Sequence, residues 1–426
     1  MENVCITELP GGLRVVSVAL PHVESVSLGI MAGVGSRYES RQMAGASHFV
    51  EHLLFKGTAK RSAQAITREI EGRGGYLNAF TQEEGTCYYA RIPYNHLKSA
   101  LNVLCDMYLN PRLAERDVER ERRVILEEIM MYRDQPHHVV EEMLGEALWP
   151  EHPLGRPVIG YPETLARMDR EKIRSYIGRH YASGNTVVAL AGRLEHEQCA
   201  GMVAEYFEKL PRRMRSRCKA VDDSVVRLPR AFQQKAIEQT HLELGFRCFG
   251  RHDRRRHALR VMNTIMGENM SSRLFQQVRE KHGLAYSVHS HAHMFTDCGA
   301  WVVSAGLDRG RYVKALELIV REVVRIRDKP PSRQELKRAK DYMTGQLRLA
   351  AESTSHQMMW LGDNIMNYDR FIPRSEVIAQ VNAVTADDVS AVARDILHAD
   401  NATLAVLSPD LSSAQEDEMN RMIAEM

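Results

Sequence analysis

The chain has 426 residues, of which 44% are hydrophobic, 26% charged and 7% aromatic, and its formal net charge is +2. This composition excludes a disordered, collagen-like or disulfide-scaffold protein. The 57 basic residues are balanced by 55 acidic ones, which argues against a dedicated nucleic-acid binder. The length predicts two domains, or one large one, with an ample core.

The N-terminal segment MENVCITELPGGLRVVSVAL has no basic stretch followed by an apolar one, so it does not resemble a signal peptide. No run approaches the roughly 18 apolar residues of a transmembrane helix, which predicts that no segment spans a membrane, and we expect no membrane partner. The seven cysteines are scattered and never spaced as C-x-x-C, a pattern typical of reduced thiols. We therefore expect a cytoplasmic protein.

Strand-like runs open each half of the chain: LRVVSVAL and SVSLGIMAG in the first, AIEQTHLELGFRC in the second. Helical patterns follow, then the hairpin-like segments TCYYARIP and GAWVVSAGL, then longer helices. Strand runs segregated from amphipathic helices predict an α+β fold. We expect two homologous domains, each a largely antiparallel sheet with helices packed on one face.

An internal repeat relates the two halves. Residues 97–129 match residues 312–347, and residues 162–192 match residues 374–408. The offset stays at roughly 215 to 218 residues through several helical patterns and a closing strand, as a duplication requires.

The repeat predicts an N-terminal domain over 1–210 and a C-terminal domain over 230–426. The connection near 209–230 is bounded by prolines and rich in charge. Its basic residues between Arg212 and Lys219 could form a nucleic-acid patch, but a solvated linker is the favoured interpretation.

The stretch GASHFVEHLLFKGT places His48, Glu51 and His52 in an apolar helical run. On a helix, the two histidines lie one turn apart on the same face, with Glu51 beside them. Two imidazoles at this spacing can chelate one zinc ion, and H-x-x-E-H is the inverted zincin signature. The alternative is a pair of hydrogen-bonded histidines at a helix end, so a third ligand has to decide.

Candidates for the third ligand lie in AERDVERERRVILEEIMMYRD, residues 114–134. At 100° per residue, Glu121 and Glu128 fall about 40° and 60° from the apolar position Ile125, whereas Glu127 falls about 160° away. Buried carboxylates are costly unless they are paired or bind a metal. The helical geometry therefore favours Glu128 or Glu121 as the ligand.

These motifs resemble those of the pitrilysin-type zinc peptidases, in the branch of the mitochondrial processing peptidase and its bacterial homologues. The blocks HFVEHLLFKGT, GGYLNAFTQEEGTCYYARI, ERERRVILEEI, HPLGRPVIGYPETL and SSRLFQQVREKHGLAYSV occur in that family's order. The resemblance covers nearly the whole chain. It implies a zinc-dependent endopeptidase that acts on extended or unfolded peptides inside a dimeric chamber.

Carried over by motif, the resemblance implies that His48, His52 and Glu128 bind zinc. Glu121 becomes the carboxylate that orients one of these ligands. Glu51 is implied as the catalytic base, which takes a proton from the attacking water and returns it to the leaving amine.

Substrate contacts are also implied by the resemblance. Asn78 and Ala79 of GGYLNAFT are expected to hold the peptide backbone at a strand edge. Phe49 matches part of a pocket for the residue after the scissile bond, although it could simply be core. Arg279 and Tyr286 match an arginine–tyrosine pair that contacts substrate near the zinc.

The second half has no matching ligand set. Alignment of Gly57 with Gly267 places Ala258, Val261 and Met262 opposite the three residues of the zinc motif, and Gln346 stands opposite Glu128. In the resembled branch, a metal half faces a metal-free half of a partner chain. We therefore expect a homodimer in which Arg279 and Tyr286 of one protomer serve the zinc of the other.

Two other functions fit the same resemblance. One is a non-catalytic structural or assembly subunit, whose metal motif is typically broken. The other is an active subunit that needs a different, metal-free partner chain. The intact zinc motif and the arginine–tyrosine pair favour the self-sufficient homodimer.

Overall fold

The computed structural model describes residues 3–222 and 229–426, so residues 223–228 of the predicted linker lie outside the described part. The strands are β1 (Val4–Leu9), β2 (Leu13–Ala19), β3 (Ser25–Ala32), β4 (Tyr76–Thr81), β5 (Thr86–Pro93), β6 (Thr186–Gly192), β7 (Arg230–Gln234), β8 (Thr240–Phe249), β9 (Ala285–Met294), β10 (Cys298–Leu307) and β11 (Ala402–Ser408).

The helices of the first half are α1 (Ala46–Leu54), α2 (Ala63–Glu71), α3 (Leu97–Leu109), α4 (Glu115–Arg133), α5 (Pro136–Leu148), α6 (Pro162–Leu165), α7 (Arg170–His180) and α8 (His196–Phe207). Those of the second half are α9 (Arg256–Met266), α10 (Tyr312–Asp328), α11 (Arg333–Ala350), α12 (Thr354–Tyr368), α13 (Arg374–Ala383), α14 (Ala386–Ile396) and α15 (Ser413–Ala424). A π-helical segment, Phe275–Lys281, lies between α9 and β9.

The structure contains two mixed sheets that have the same strand order apart from the additional strand β1, and it confirms the α+β fold predicted from the segregated strand and helix patterns. The first sheet has the order β1-β2-β6-β3-β5-β4, and the second has β7-β11-β8-β10-β9. In each sheet, the last strand of that half pairs in parallel with an early strand. These parallel pairs are β6 with β2 and β11 with β7. The other pairings are antiparallel. Strand β4 is at one edge of the first sheet.

The chain forms two compact units. The first comprises Met1–Met130, Arg156–Lys219 and Arg348–Pro373, and the second comprises Met131–Gly155, Ala220–Leu347 and Arg374–Met426. Most of each unit comes from one half of the chain. Each unit also includes a segment from the other half, and that segment contains a helix.

Helix α12 belongs to the first unit, where it covers one face of the β2-β6-β3 region. Met358, Leu361 and Ile365 repeat at helical spacing and pack in one buried cluster with strand residues such as Val187. A Cβ at Gly362 would lie 2.2 Å from the sulfur of Met31, so glycine permits this close approach. Each fully buried aliphatic side chain contributes about 1.5–3 kcal/mol.

Helix α5 has the equivalent position in the second unit. Val140, Leu144 and Leu148 pack against strand residues that include Val302 and Ala405. The helix that follows the long helix of each half therefore packs on the sheet of the other half. Within residues 3–222 and 229–426, no helix combines the length and apolar composition that a bilayer-spanning segment needs.

Candidate metal centre

Helix α1 begins in a buried, hydrogen-bonded position. Gly45 precedes it with φ +94°, and a Cβ there would lie 2.6 Å from the Ile159 carbonyl oxygen. The backbone N–H groups of Gly45 and Ser47 each donate to the Glu39 carboxylate at 2.7 Å. A carboxylate at a helix N-terminus accepts hydrogen bonds from N–H groups that have no partner inside the helix, and its negative charge interacts favourably with the helix dipole. Glu39 thereby fixes the start of the helix that carries the zinc motif.

His48 and His52 lie side by side on α1, with ring centroids 4.7 Å apart. Their Nε2 atoms lie 3.8 and 3.6 Å from the Oε2 atom of Glu128 on α4. Two ligands bound to one tetrahedral zinc ion lie about 3.4 Å apart, given metal–ligand distances of about 2.1 Å. The three side chains therefore converge at nearly the spacing that a shared zinc ion requires.

The donor set fits zinc chemically as well. Among the described residues, His48, His52 and Glu128 are the group whose ligand atoms come within 4.8 Å of one another. Burial, and then the neighbouring His52, lowers the pKa of His48 to about 3, so its imidazole is neutral at neutral pH. Its Nδ1 is buried without a hydrogen-bond partner in the described part of the chain. Two imidazoles and one carboxylate leave a fourth position open, as catalytic zinc sites do.

Glu121 holds His52 from the other side of the ring. Its Oε2 lies 3.4 Å from the Nδ1 of His52 and 2.9 Å from the Nζ of Lys56. Burial acts to raise the pKa of Glu121, but the hydrogen bonds from His52 and Lys56 lower it overall. A proton on Nδ1 leaves the Nε2 lone pair available to a metal. Glu127 is exposed, which agrees with the helical register.

Glu51 lies beside the two histidines and bonds the neighbouring strand. Its carboxylate accepts a 2.6 Å hydrogen bond from the hydroxyl of Thr81, the last residue of β4. Burial raises the pKa of Glu51, although the bond from Thr81 opposes this change. The carboxylate is thus held at a defined place beside the ligands, as a general base requires.

The expected peptide-binding residues lie on β4. Asn78 is exposed, and its side-chain oxygen accepts a 2.9 Å hydrogen bond from the N–H of Ala79. Tyr76 is also exposed and accepts a hydrogen bond from the Asn78 amide. Phe49 has an exposed fraction of 0%, which favours the core alternative for this residue.

Arg279 and Tyr286 lie in the second unit. Arg279 is exposed on the π-helical segment, 4.9 Å above the ring of Phe275. Tyr286 is the second residue of β9 and is 77% exposed. Both side chains are therefore accessible within their own unit, a condition that a substrate contact requires.

At the positions equivalent to the candidate ligands, the helices of the second half have residues that do not bind zinc. Ala258, Val261 and Met262 are buried on α9. Gln346 lies on the exposed side of α11. Among the described residues, the group that could hold a metal ion therefore lies in the first of the two repeats.

Two models of known protein families match successive segments of the chain. Residues 14–161 match the family model described as "Insulinase (Peptidase family M16)", and residues 167–343 match "Peptidase M16 inactive domain". An uncharacterized zinc protease of Mycobacterium leprae is 40% identical over 401 residues, which cover 93% of this chain and 90% of that protein. The chain belongs to peptidase family M16. The resemblance to pitrilysin-type zinc peptidases is thereby confirmed.

Further M16 relatives extend over the same length. An uncharacterized zinc protease of Streptomyces coelicolor is 38% identical over 432 residues, which cover 98% of this chain and 92% of that protein. The crystal structure described as a peptidase M16 inactive domain from Pseudomonas fluorescens superimposes with a TM-score of 0.89 at 20% identity. That match covers 96% of this chain and 99% of the other, and it shows a shared fold.

Three residues of this M16 site were not predicted from the sequence. Thr81 belongs to the GGYLNAFT block, and Lys56 lies one turn after His52, so both positions carried a local signal. Glu39 lies six residues before Gly45 in an irregular segment. Its carboxylate reaches α1 only through the folded loop, and the sequence offered no periodicity that could indicate this contact.

Proposed function

We propose that this M16 protein is a zinc-dependent endopeptidase that cleaves extended or unfolded peptides. The observation that carries the proposal is the convergence of two imidazole nitrogens and a carboxylate oxygen, from His48, His52 and Glu128, beside the half-buried Glu51. The names of its relatives, zinc proteases, support the same chemistry.

The chain's own residues divide the reaction between them. When bound, zinc supplies a Lewis acid that polarises the scissile carbonyl and acidifies water. Glu51, oriented by Thr81, takes the proton of the attacking water and delivers it to the leaving amine. Glu121 keeps His52 in one ring orientation through its Nδ1.

Strand β4 provides the surface for the peptide. An extended peptide can add a strand to an open sheet edge, where backbone hydrogen bonds give affinity without much dependence on side chains. Asn78 and Ala79 are the proposed backbone contacts, and β4 reaches the catalytic helix through the bond between Thr81 and Glu51. The favoured substrates are therefore peptides without stable structure of their own.

We propose a homodimer in which Arg279 and Tyr286 of one protomer serve the metal centre of its partner. The exposure of both side chains and the confinement of the ligand set to one repeat support this arrangement. The intact ligand set argues against a purely structural subunit. A heterodimer with a metal-free partner chain is the remaining alternative, and the cytoplasmic location stays a prediction.

The Glu51→Gln variant tests the proposed reaction. It keeps the shape of the side chain but removes the base, so zinc content should match the wild type while turnover of an unstructured peptide falls by about 10²–10⁴-fold. Zinc is measured by elemental analysis, and cleavage by mass spectrometry of the products. A variant that retains zinc and cleaves at the wild-type rate would remove Glu51 from the mechanism.

A further inference from the structure

A polar cavity of about 230 Å³ lies in the second unit, between the end of α9, the start of the π-helical segment and α11. Drug-sized ligands usually occupy roughly 300–1,000 Å³, so this cavity has room only for a smaller group. Its wall includes hydrogen-bond donors from several residues, among them Asn269, Ser271, Ser272, Arg273, Gln276 and Arg338. None of them belongs to the proposed metal centre.

Arg273 is the most buried charged group of the cavity wall. Its side chain is 8% exposed, and its Nε donates a 2.7 Å hydrogen bond to Glu335. Its Nη1 is buried without an acceptor in the described part of the chain. An unsatisfied charged donor carries a desolvation cost that an anion would offset.

Glu335 leaves the Nη1 atom of Arg273 without an acceptor, and both of its oxygens accept other hydrogen bonds. One accepts from Arg273, and the other accepts from the N–H and the hydroxyl of Ser332 at 2.9 and 2.7 Å. Burial acts to raise the pKa of Glu335, but these hydrogen bonds lower it to about 2. Glu335 thus remains ionised and holds one edge of the Arg273 guanidinium in place.

Ser272 and Arg338 also line this cavity and carry hydrogen-bond donors. Ser272 is 2% exposed, and its hydroxyl is buried without a partner among the described residues. Arg338 is exposed on α11. Three arginines and one glutamate line the cavity, so its wall is positively charged. Arg325, the third arginine, lies 3.3 Å from Glu322 on its own helix, which leaves Arg273 and Arg338 as the candidate groups for binding an anion.

We infer that this cavity binds a small dianionic phosphate group, either inorganic phosphate or the phosphate of a small phosphomonoester. Guanidinium groups match the tetrahedral oxygens of phosphate with paired N–H donors. A phosphate group carries a charge of about −1.5 to −2 near neutral pH, which suits the positive excess of the wall. The site is independent of the proposed peptidase activity.

Calorimetric titration of the zinc-loaded full-length protein tests the inference, with inorganic phosphate, glycerol phosphate and acetate as probes. We expect saturable binding of phosphate at one site per chain and no comparable binding of acetate. Tighter binding of glycerol phosphate would identify a phosphomonoester as the ligand, and equal or weaker binding would identify the free ion. Absence of saturable phosphate binding, or equal binding of acetate, overturns the inference.

Variants locate the site without disturbing the buried Arg273–Glu335 pair. Arg338→Glu should weaken phosphate binding by about tenfold or more, because it replaces a positively charged donor with a carboxylate that repels phosphate. Ser272→Ala should weaken it by about threefold or more, through the loss of one donor. Arg333→Glu, an exposed position on the same helix, makes the same charge change outside the cavity and should leave the affinity within about twofold. Equal losses for Arg338→Glu and Arg333→Glu overturn the inference.

A second measurement separates the cavity from the metal centre, since phosphate can also bind zinc. Phosphate should slow hydrogen exchange of backbone amides in residues 269–277, and His52→Ala should bind phosphate as tightly as the wild type. Loss of phosphate binding in His52→Ala, with no protection of residues 269–277 in the wild type, places the anion at the metal centre and overturns the inference.

Discussion

Thr81 donates a 2.6 Å hydrogen bond to the carboxylate of Glu51 and thereby joins the edge strand β4 to helix α1. Glu51 is the proposed base, and β4 is the proposed docking edge for the peptide. One hydrogen bond therefore links the position of the substrate backbone to the orientation of the group that activates water.

Thr81→Val removes this hydrogen bond with little change of shape. We expect kcat for an unstructured peptide to fall by about tenfold, because Glu51 loses the donor that orients it. Zinc content should not change, since Thr81 supplies none of the three candidate ligands. Thr81→Ser keeps the hydroxyl and should stay within about threefold of the wild type. If the valine and serine variants lose activity equally, the hydrogen bond has no role in turnover.

Two adjacent carboxylates on α4 test the ligand assignment. Glu128→Gln should lose most of the bound zinc, because a neutral amide replaces the only anionic ligand. Glu127→Gln, the matched control on the exposed face, should bind zinc and cleave peptide as the wild type does. His52→Ala should likewise contain almost no zinc. Zinc content measured by elemental analysis decides the result, and zinc loss in Glu127→Gln alone contradicts the assignment.

Acid should destabilise the protein in part through His257 on α9. This histidine is 6% exposed, and neither ring nitrogen has a hydrogen-bond partner in the described part of the chain. Burial, then Arg256 and Arg260 on the same helix, lowers its pKa from 6.5 to about 4, and Glu376 on α13 opposes the change. Between these values the unfolded chain binds a proton that the folded chain excludes. The free energy of unfolding therefore falls as the pH decreases from 6.5 to 4.

His257→Met should weaken that pH dependence. Between pH 6.5 and 4.5, the free energy of unfolding should decrease by about 2 kcal/mol less in the variant than in the wild type. The measurement is urea unfolding at a series of pH values. His22→Gln changes an exposed histidine and should follow the wild-type profile. If the free energy of unfolding depends on pH equally in the wild type and in His257→Met, the prediction is wrong.

Subunit mixing tests the shared site. Glu51→Gln and Arg279→Ala should each be nearly inactive alone, the first without its base and the second without its substrate contact. After subunit exchange, a heterodimer contains one site with both an intact Glu51 and an intact Arg279, so activity should return. Confirmed exchange without recovered activity shows that the two residues act within one chain.

Local periodicity predicted the parts of the site that lie on single helices. The i, i+4 spacing of His48 and His52 and the angular positions on α4 indicated which side chains share a face, because a helix fixes these relations within two turns. The choice of Glu128 over Glu121 needed the family resemblance. In the structure, Glu121 lies against Nδ1 of His52 and Glu128 against Nε2, a distinction that depends on how two helices pack.

Contacts between distant segments could not be predicted in the same way. The apolar spacing of Met358, Leu361 and Ile365 indicates a buried helix face, but it does not say which sheet covers that face. The same limit applies to the cavity around Arg273, whose partner Glu335 is 62 residues away along the chain. The periodicity of apolar residues indicates that one face of a helix is buried. Which sheet or helix packs on that face depends on the topology of the whole fold.

Because α5 and α12 each pack on the sheet of the other half, the two repeats depend on each other to fold. Helix α5 completes the second unit and α12 completes the first, so a chain cut between the repeats would give two fragments that each carry the other's missing piece. Neither fragment should fold alone, whereas both together could reassemble. A chain with a single repeat could form the same packing if two copies exchanged this helix, as in domain swapping.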